Sequence, residues 1–178
     1  TTDRLIEGLL LSMLNEVPKV LENPDDYDAR ANIMWAGMVA HNNIVGVGRE
    51  QDWSSHGLEH ELSALYGVTH GAGLAIVFPA WMKYTLKQDV MRFAQLAVRV
   101  FGCQMDYFDP EKTACEGIER LEQFLKACGM PIRLDEINGK KEDIPYLVEN
   151  LGLNGGTMGA FVPLDDKACA RIYELAFE

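Results

Sequence analysis

Ser54-Ser55-His56-Gly57-Leu58-Glu59-His60-Glu61-Leu62-Ser63-Ala64-Leu65-Tyr66-Gly67-Val68-Thr69-His70-Gly71-Ala72-Gly73-Leu74-Ala75-Ile76-Val77-Phe78 is the stretch whose reading decides the fold. Leu58, Leu62 and Leu65 recur at helical spacing, so residues 55–66 form a helix, capped at Ser54 or Ser55 and closed by Gly67. The run from Gly71 to Phe78 is apolar all round, which predicts a helix at the centre of a domain, with small residues allowing close approach. Pro79 is expected to bend that helix or break it before Trp81.

Outward from this stretch the pattern stays helical. Leu5, Ile6, Leu9, Leu10, Met13 and Leu14 lie on one face that continues towards Leu21 through Pro18. Asn23-Pro24-Asp25-Asp26 stops that helix and caps a second one ending near Asn42, followed by a loop over 44–53. Further helices are expected at about 88–101, 110–128, 141–151 and 164–177, from the spacing of apolar residues such as Phe93, Ile118 and Leu121. Gly152 to Gly159 is a connector, and no alternating segment is long enough for a strand. The fold class is all-α, one multi-helix domain of seven or eight helices over residues 1–178.

Composition bounds the function. The 178 residues are 48% hydrophobic and 24% charged, as in a globular protein able to bury a core without staples. Sixteen Lys and Arg against 27 Asp and Glu give a net charge of −11, a poor match to nucleic acid or anionic lipid. The longest apolar run is too short to cross a bilayer. Cys103, Cys115, Cys128 and Cys169 show no CxxC spacing and read as reduced packing residues, in keeping with a cytoplasmic location. The chain opens Thr1-Thr2-Asp3 without Met, directly into an amphipathic helix, as expected for a piece of something longer.

Three of the four histidines fall within fifteen residues. His56 and His60 share a helix face opposite the leucine stripe, and a turn at Gly67 returns His70 towards them. Two elements would then share one ion, of a kind that suits imidazole: Fe, Zn, Ni or Co rather than Mg or Ca. HxxxH alone recurs by chance, and a single helical histidine is usually solvated, as His41 is expected to be. Glu59 and Glu61 flank His60; a solvated helix edge is the simpler reading for them, although one of them could orient an imidazole. Gly46-Val47-Gly48 and Gly155-Gly156-Thr157-Met158-Gly159 are turns, since neither follows a strand.

The run His56-x-x-x-His60, then His70-Gly71-x-Gly73-x-Ala75-x-x-x-Pro79, resembles the signature of iron-containing (group III) alcohol dehydrogenases. The longer text from Gln51 to Tyr84 is most similar to the butanol dehydrogenase branch, and the likeness extends along the chain to Asn154-Gly155-Gly156-Thr157. The resemblance implies a dehydroquinate synthase-like helical domain, the C-terminal part of an enzyme whose N-terminal α/β nucleotide-binding domain is absent from this sequence. It implies His56 and His70 as metal-binding residues and His60 as the catalytic histidine near the nicotinamide, in a shell completed by an Asp and a His expected just upstream of Thr1.

The implied cofactors are Fe2+ or Zn2+ and NAD(P)H, the latter bound mainly by the missing domain. The implied partners are a small alcohol or aldehyde and that domain, with a homodimer as a further possibility. Trp53 and Phe78 would line the cleft or pack in the core, and no nucleotide-contacting residue is identified. Two imidazoles form an incomplete shell, so this chain alone is expected to hold metal weakly and to be inactive. Alternative functions are a glycerol or polyol dehydrogenase of the same superfamily and a stand-alone helical binding or assembly module.

Overall fold

Aspartates start four of the helices in the computed structural model, which describes residues 1–178. Eight α-helices follow in order: α1 (Thr2–Glu22), α2 (Tyr27–His41), α3 (Ser54–Tyr66), α4 (His70–Thr85), α5 (Val90–Arg99), α6 (Pro110–Ala127), α7 (Ile144–Asn150) and α8 (Asp166–Leu175). The carboxylates of Asp26, Asp89, Asp109 and Asp165 accept from the amides of Ala29, Arg92, Lys112 and Ala168 at 2.9, 3.1, 3.2 and 2.8 Å, each satisfying an otherwise orphaned N–H. The only β-type pairing is an isolated antiparallel bridge between Met158, in the glycine-rich connector, and Leu164, just before α8.

Helix α4 is the axis. Its Ile76, Val77 and Ala80 pack with Leu58 and Leu62 of α3, Leu147 of α7, and Ile172 and Tyr173 of α8 in the larger core. Its Met82 packs with Phe93 and Ala94 of α5 and Ala114 and Ile118 of α6 in a second core. Burial of each such aliphatic side chain is worth roughly 1.5–3 kcal/mol, which makes α4 the most strongly held element. Of the bend or break expected at Pro79, the break does not occur: α4 runs unbroken to Thr85. Proline removes one backbone hydrogen bond, but Pro79 is itself buried, and packing on both sides outweighs that local loss.

Helices α1 and α2 form a hairpin that contributes only Glu7, Ala29 and Ala36 to the buried set. Polar links tie α1 to α5. Asp3 accepts from Arg92 at 2.9 Å, and Glu7 accepts from Arg99 at 3.1 Å and Gln95 at 3.2 Å. No helix is long and apolar enough to cross a membrane.

Candidate metal centre

Helix α3 opens differently from the expectation of a serine cap. Trp53 occupies the N-cap position without a side-chain bond, while Asp52 carries the local polar work. One Asp52 oxygen accepts from the Ser54 amide at 2.8 Å and from the Ser54 hydroxyl. The other accepts from the Ala160 and Phe161 amides at 2.7 and 2.8 Å, which binds the connector to the start of α3. Burial pushes the Asp52 carboxyl up, but the Ser54 hydroxyl and the amides of Phe161, Ser54 and Ala160 outweigh it and hold the group below the usual carboxylate range. Phe161 is thereby set against Trp81 and Phe93, with ring centroids 5.9 and 6.1 Å apart.

Helix α3 ends at Gly67, whose φ of +67° a side chain would strain. The reversal brings His70, the first residue of α4, back to the histidine face of α3. The ring centroid of His70 lies 5.3 Å from that of His56 and 5.3 Å from that of His60. By centroid distance His56 and His60 are equally near to His70, with interplanar angles of 55° and 35°, and all three meet across two helices.

Their surroundings differ. His56 is half-buried with the Trp53 ring edge-on at 4.9 Å, whereas His60 and His70 are exposed. Burial, then the neighbouring His70 and His60, lower the His56 pKa, which favours its neutral, lone-pair-bearing form. Trp53 and Phe78 are both exposed, 57% and 39%, so neither is a core residue. His41 ends α2 on the exposed surface.

Glu59 overturns the reading of a solvated edge: it is fully buried. One oxygen pairs with His70 Nδ1, and the other accepts from the Ser63 hydroxyl at 2.5 Å. His70 is the only basic side chain that contacts it; no Lys or Arg reaches it. Donor atoms of Glu59, His60 and His70 lie within 4.8 Å of one another, a trio that leaves out His56. Both Glu59 oxygens are already engaged, so the free donors of this face are imidazole nitrogens. That set suits a divalent transition metal and not Mg or Ca. A buried carboxylate without a cationic side chain also fits a site where positive charge lies beyond the ring it contacts.

A family model described as "Fe-containing alcohol dehydrogenase family, C-terminal" matches residues 1–177. The chain belongs to the Fe-containing alcohol dehydrogenase family, and its all-helical architecture is that of the family's C-terminal domain. It is 37% identical over 176 residues to NADH-dependent butanol dehydrogenase B of Clostridium acetobutylicum, covering 97% of this chain and 45% of that protein. It is likewise 37% identical over 178 residues to the NADPH-dependent aldehyde reductase YqhD of Escherichia coli, covering 98% of this chain and 45% of that one. The crystal structure of NADH-dependent butanol dehydrogenase A from Thermotoga maritima superposes with a TM-score of 0.93 at 35% identity, over 99% of this chain and 46% of that chain. This chain therefore spans a little under half the length of these relatives.

Proposed function

We propose that residues 1–178 are the helical, metal-binding domain of an NAD(P)H-linked alcohol dehydrogenase that interconverts small aliphatic alcohols and aldehydes. The observation that carries this reading is the meeting of His56 and His70, from different helices, with ring centroids 5.3 Å apart. His56 and His70 would hold the ion, Fe2+ or Zn2+, through neutral imidazoles. Catalytic sites commonly use three protein ligands and an open position, so the remaining ligands would come from the part of the relatives' length that this chain does not span. The nicotinamide would be bound mainly there too, and the chain alone would turn nothing over.

Such an ion, held by His56 and His70, would supply Lewis-acid polarisation of the alcohol or aldehyde oxygen, and the nicotinamide would supply the hydride chemistry. The chain's own residues divide the remaining work by their environment. His60, exposed at the rim and beside His70, would relay a proton at its ring nitrogen between the site and solvent. Trp53, edge-on to His56, would shield that imidazole from water and offer an apolar surface to an alkyl chain, with exposed Phe78 as a second such surface. The four free cysteines suit a reducing, cytoplasmic compartment.

The test uses the protein that carries this chain. His70→Ala is expected to lose both bound metal and NAD(P)H-dependent reduction of butanal, and retention of both defeats the assignment. Comparison of butanal with dihydroxyacetone separates an aliphatic from a polyol dehydrogenase; faster turnover of dihydroxyacetone contradicts the aliphatic reading.

A further inference from the structure

We propose that Glu59 is the positioning residue of this site: its buried carboxylate accepts the Nδ1 proton of His70, fixes that tautomer and leaves Nε2 as the metal-facing lone pair. This rests on the reading of His70 as a ligand. An ionised carboxylate only accepts, so the proton of the Glu59–His70 bond belongs to Nδ1, and the unprotonated nitrogen lies on the opposite side of the ring. The His70 side chain is 47% exposed and that of Glu59 is not exposed at all. The imidazole therefore runs from a buried anchor out to the open face where His56 and His60 sit.

Three features hold the anchor itself. The Ser63 hydroxyl donates its one proton to the second Glu59 oxygen at 2.5 Å, which fixes the carboxylate plane against α3. Leu58 and Leu62, fully buried on either side in sequence, keep the Glu59 backbone in register. Gly73, on the first turn of α4, leaves the space that the side chain fills. A Cβ there would stand 2.7 Å from Glu59 Cγ and 2.8 Å from its Cδ, so α4 accommodates this carboxylate only because residue 73 has no side chain. For a fold that merely needed to fill this volume, an aliphatic residue would serve without the cost of burying a charge. A carboxylate buried against an imidazole that presents its other nitrogen outward serves ligand orientation instead.

The experiment compares wild type with Glu59→Gln and Gly73→Ala in the protein that carries this chain. In the metal-free protein, long-range proton–nitrogen NMR reads the His70 tautomer. Wild type is expected as Nδ1–H; Glu59→Gln is expected as a mixture, because an amide donates as well as accepts. Titration with Co2+, read by its visible absorption, is expected to show affinity weakened about 10–100-fold in Glu59→Gln. A purely structural role would lower the thermal midpoint of the metal-free variant but leave the His70 tautomer and the Co2+ affinity of the folded protein unchanged.

Gly73→Ala keeps the carboxylate but displaces it, and the same loss of affinity is expected, which keeps the test available should Glu59→Gln fail to fold. Wild-type tautomer and wild-type Co2+ affinity in the variants overturn the role given to Glu59. A wild-type protein that takes up no Co2+ overturns instead the reading of His70 as a ligand.

Discussion

Replacement of Asp52 by Ala removes the acceptor for four donors at once. Two of these, the Ser54 and Phe161 amides, belong to a buried and a half-buried residue and are expensive to leave unpaired. Hydrogen bonds to a charged acceptor contribute about 1.5–3 kcal/mol each; only exposed Ala160 is free to find water, while buried Ser54 loses the acceptor of both its amide and its hydroxyl, so the loss is about 3 kcal/mol or more. For a domain of this size that lowers the melting midpoint by about 6–12 °C. Asp52→Asn should fall between, because its single carbonyl oxygen replaces only one of two oxygens that each take two donors.

Urea unfolding followed by tryptophan fluorescence measures the loss, and hydrogen exchange at Ala160 and Phe161 locates it. A loss under about 0.5 kcal/mol, the range of an ordinary surface substitution, together with unchanged exchange at those two amides, refutes the claim that Asp52 binds the connector to α3. The pH dependence follows the same bonds. The folded-state value is depressed, so this contribution is complete above the unfolded value of about 3.9 and is lost as pH falls through the folded value.

Hydrogen bonds from Arg92, Arg49 and Gln95 hold the Asp3 carboxyl well below its ordinary range, so the attachment of α1 should likewise weaken only as pH falls below about 3.9; acid-dependent exchange of α1 amides checks this. Gly117→Ala should destabilise by about 1–3 kcal/mol, because its Cβ would meet the Ala97 backbone 2.8 Å away where α5 and α6 cross, as chemical denaturation would show. Burial raises the Cys169 thiol to about 11, so labelling by iodoacetamide at neutral pH should be far slower there than at half-buried Cys115 and Cys128, as peptide mass spectrometry would record.

The helices and the histidine face were legible because both rest on short-range spacing. The leucine stripe of α3, the i to i+4 pair His56 and His60, and the turn at Gly67 are all encoded within fifteen residues. What spacing hides is the content of the next layer. Glu59 stands between Leu58 and His60 and reads as an edge residue, yet it is buried because α4 offers a vacancy at Gly73, fourteen positions on. The signal was present in the small residues Gly71-Ala72-Gly73, but only the packing of α3 on α4 shows which side chain fills the gap. The cap of α3 was misplaced for a similar reason, since Asp52 gains its role from Ala160 and Phe161, more than a hundred residues away. Pro79 was expected to bend α4 or break it, and burial on both sides keeps the helix unbroken.

Anomalous diffraction at the metal edge, on crystals of the protein that carries this chain with its native ion, tests the central claim most directly. The account predicts a single peak bonded at about 2.0–2.2 Å to ring nitrogens of both His56 and His70, with His70 Nδ1 still on Glu59. A peak bonded to the Glu59 carboxylate, or one that leaves either of the two imidazoles uncoordinated, would contradict it.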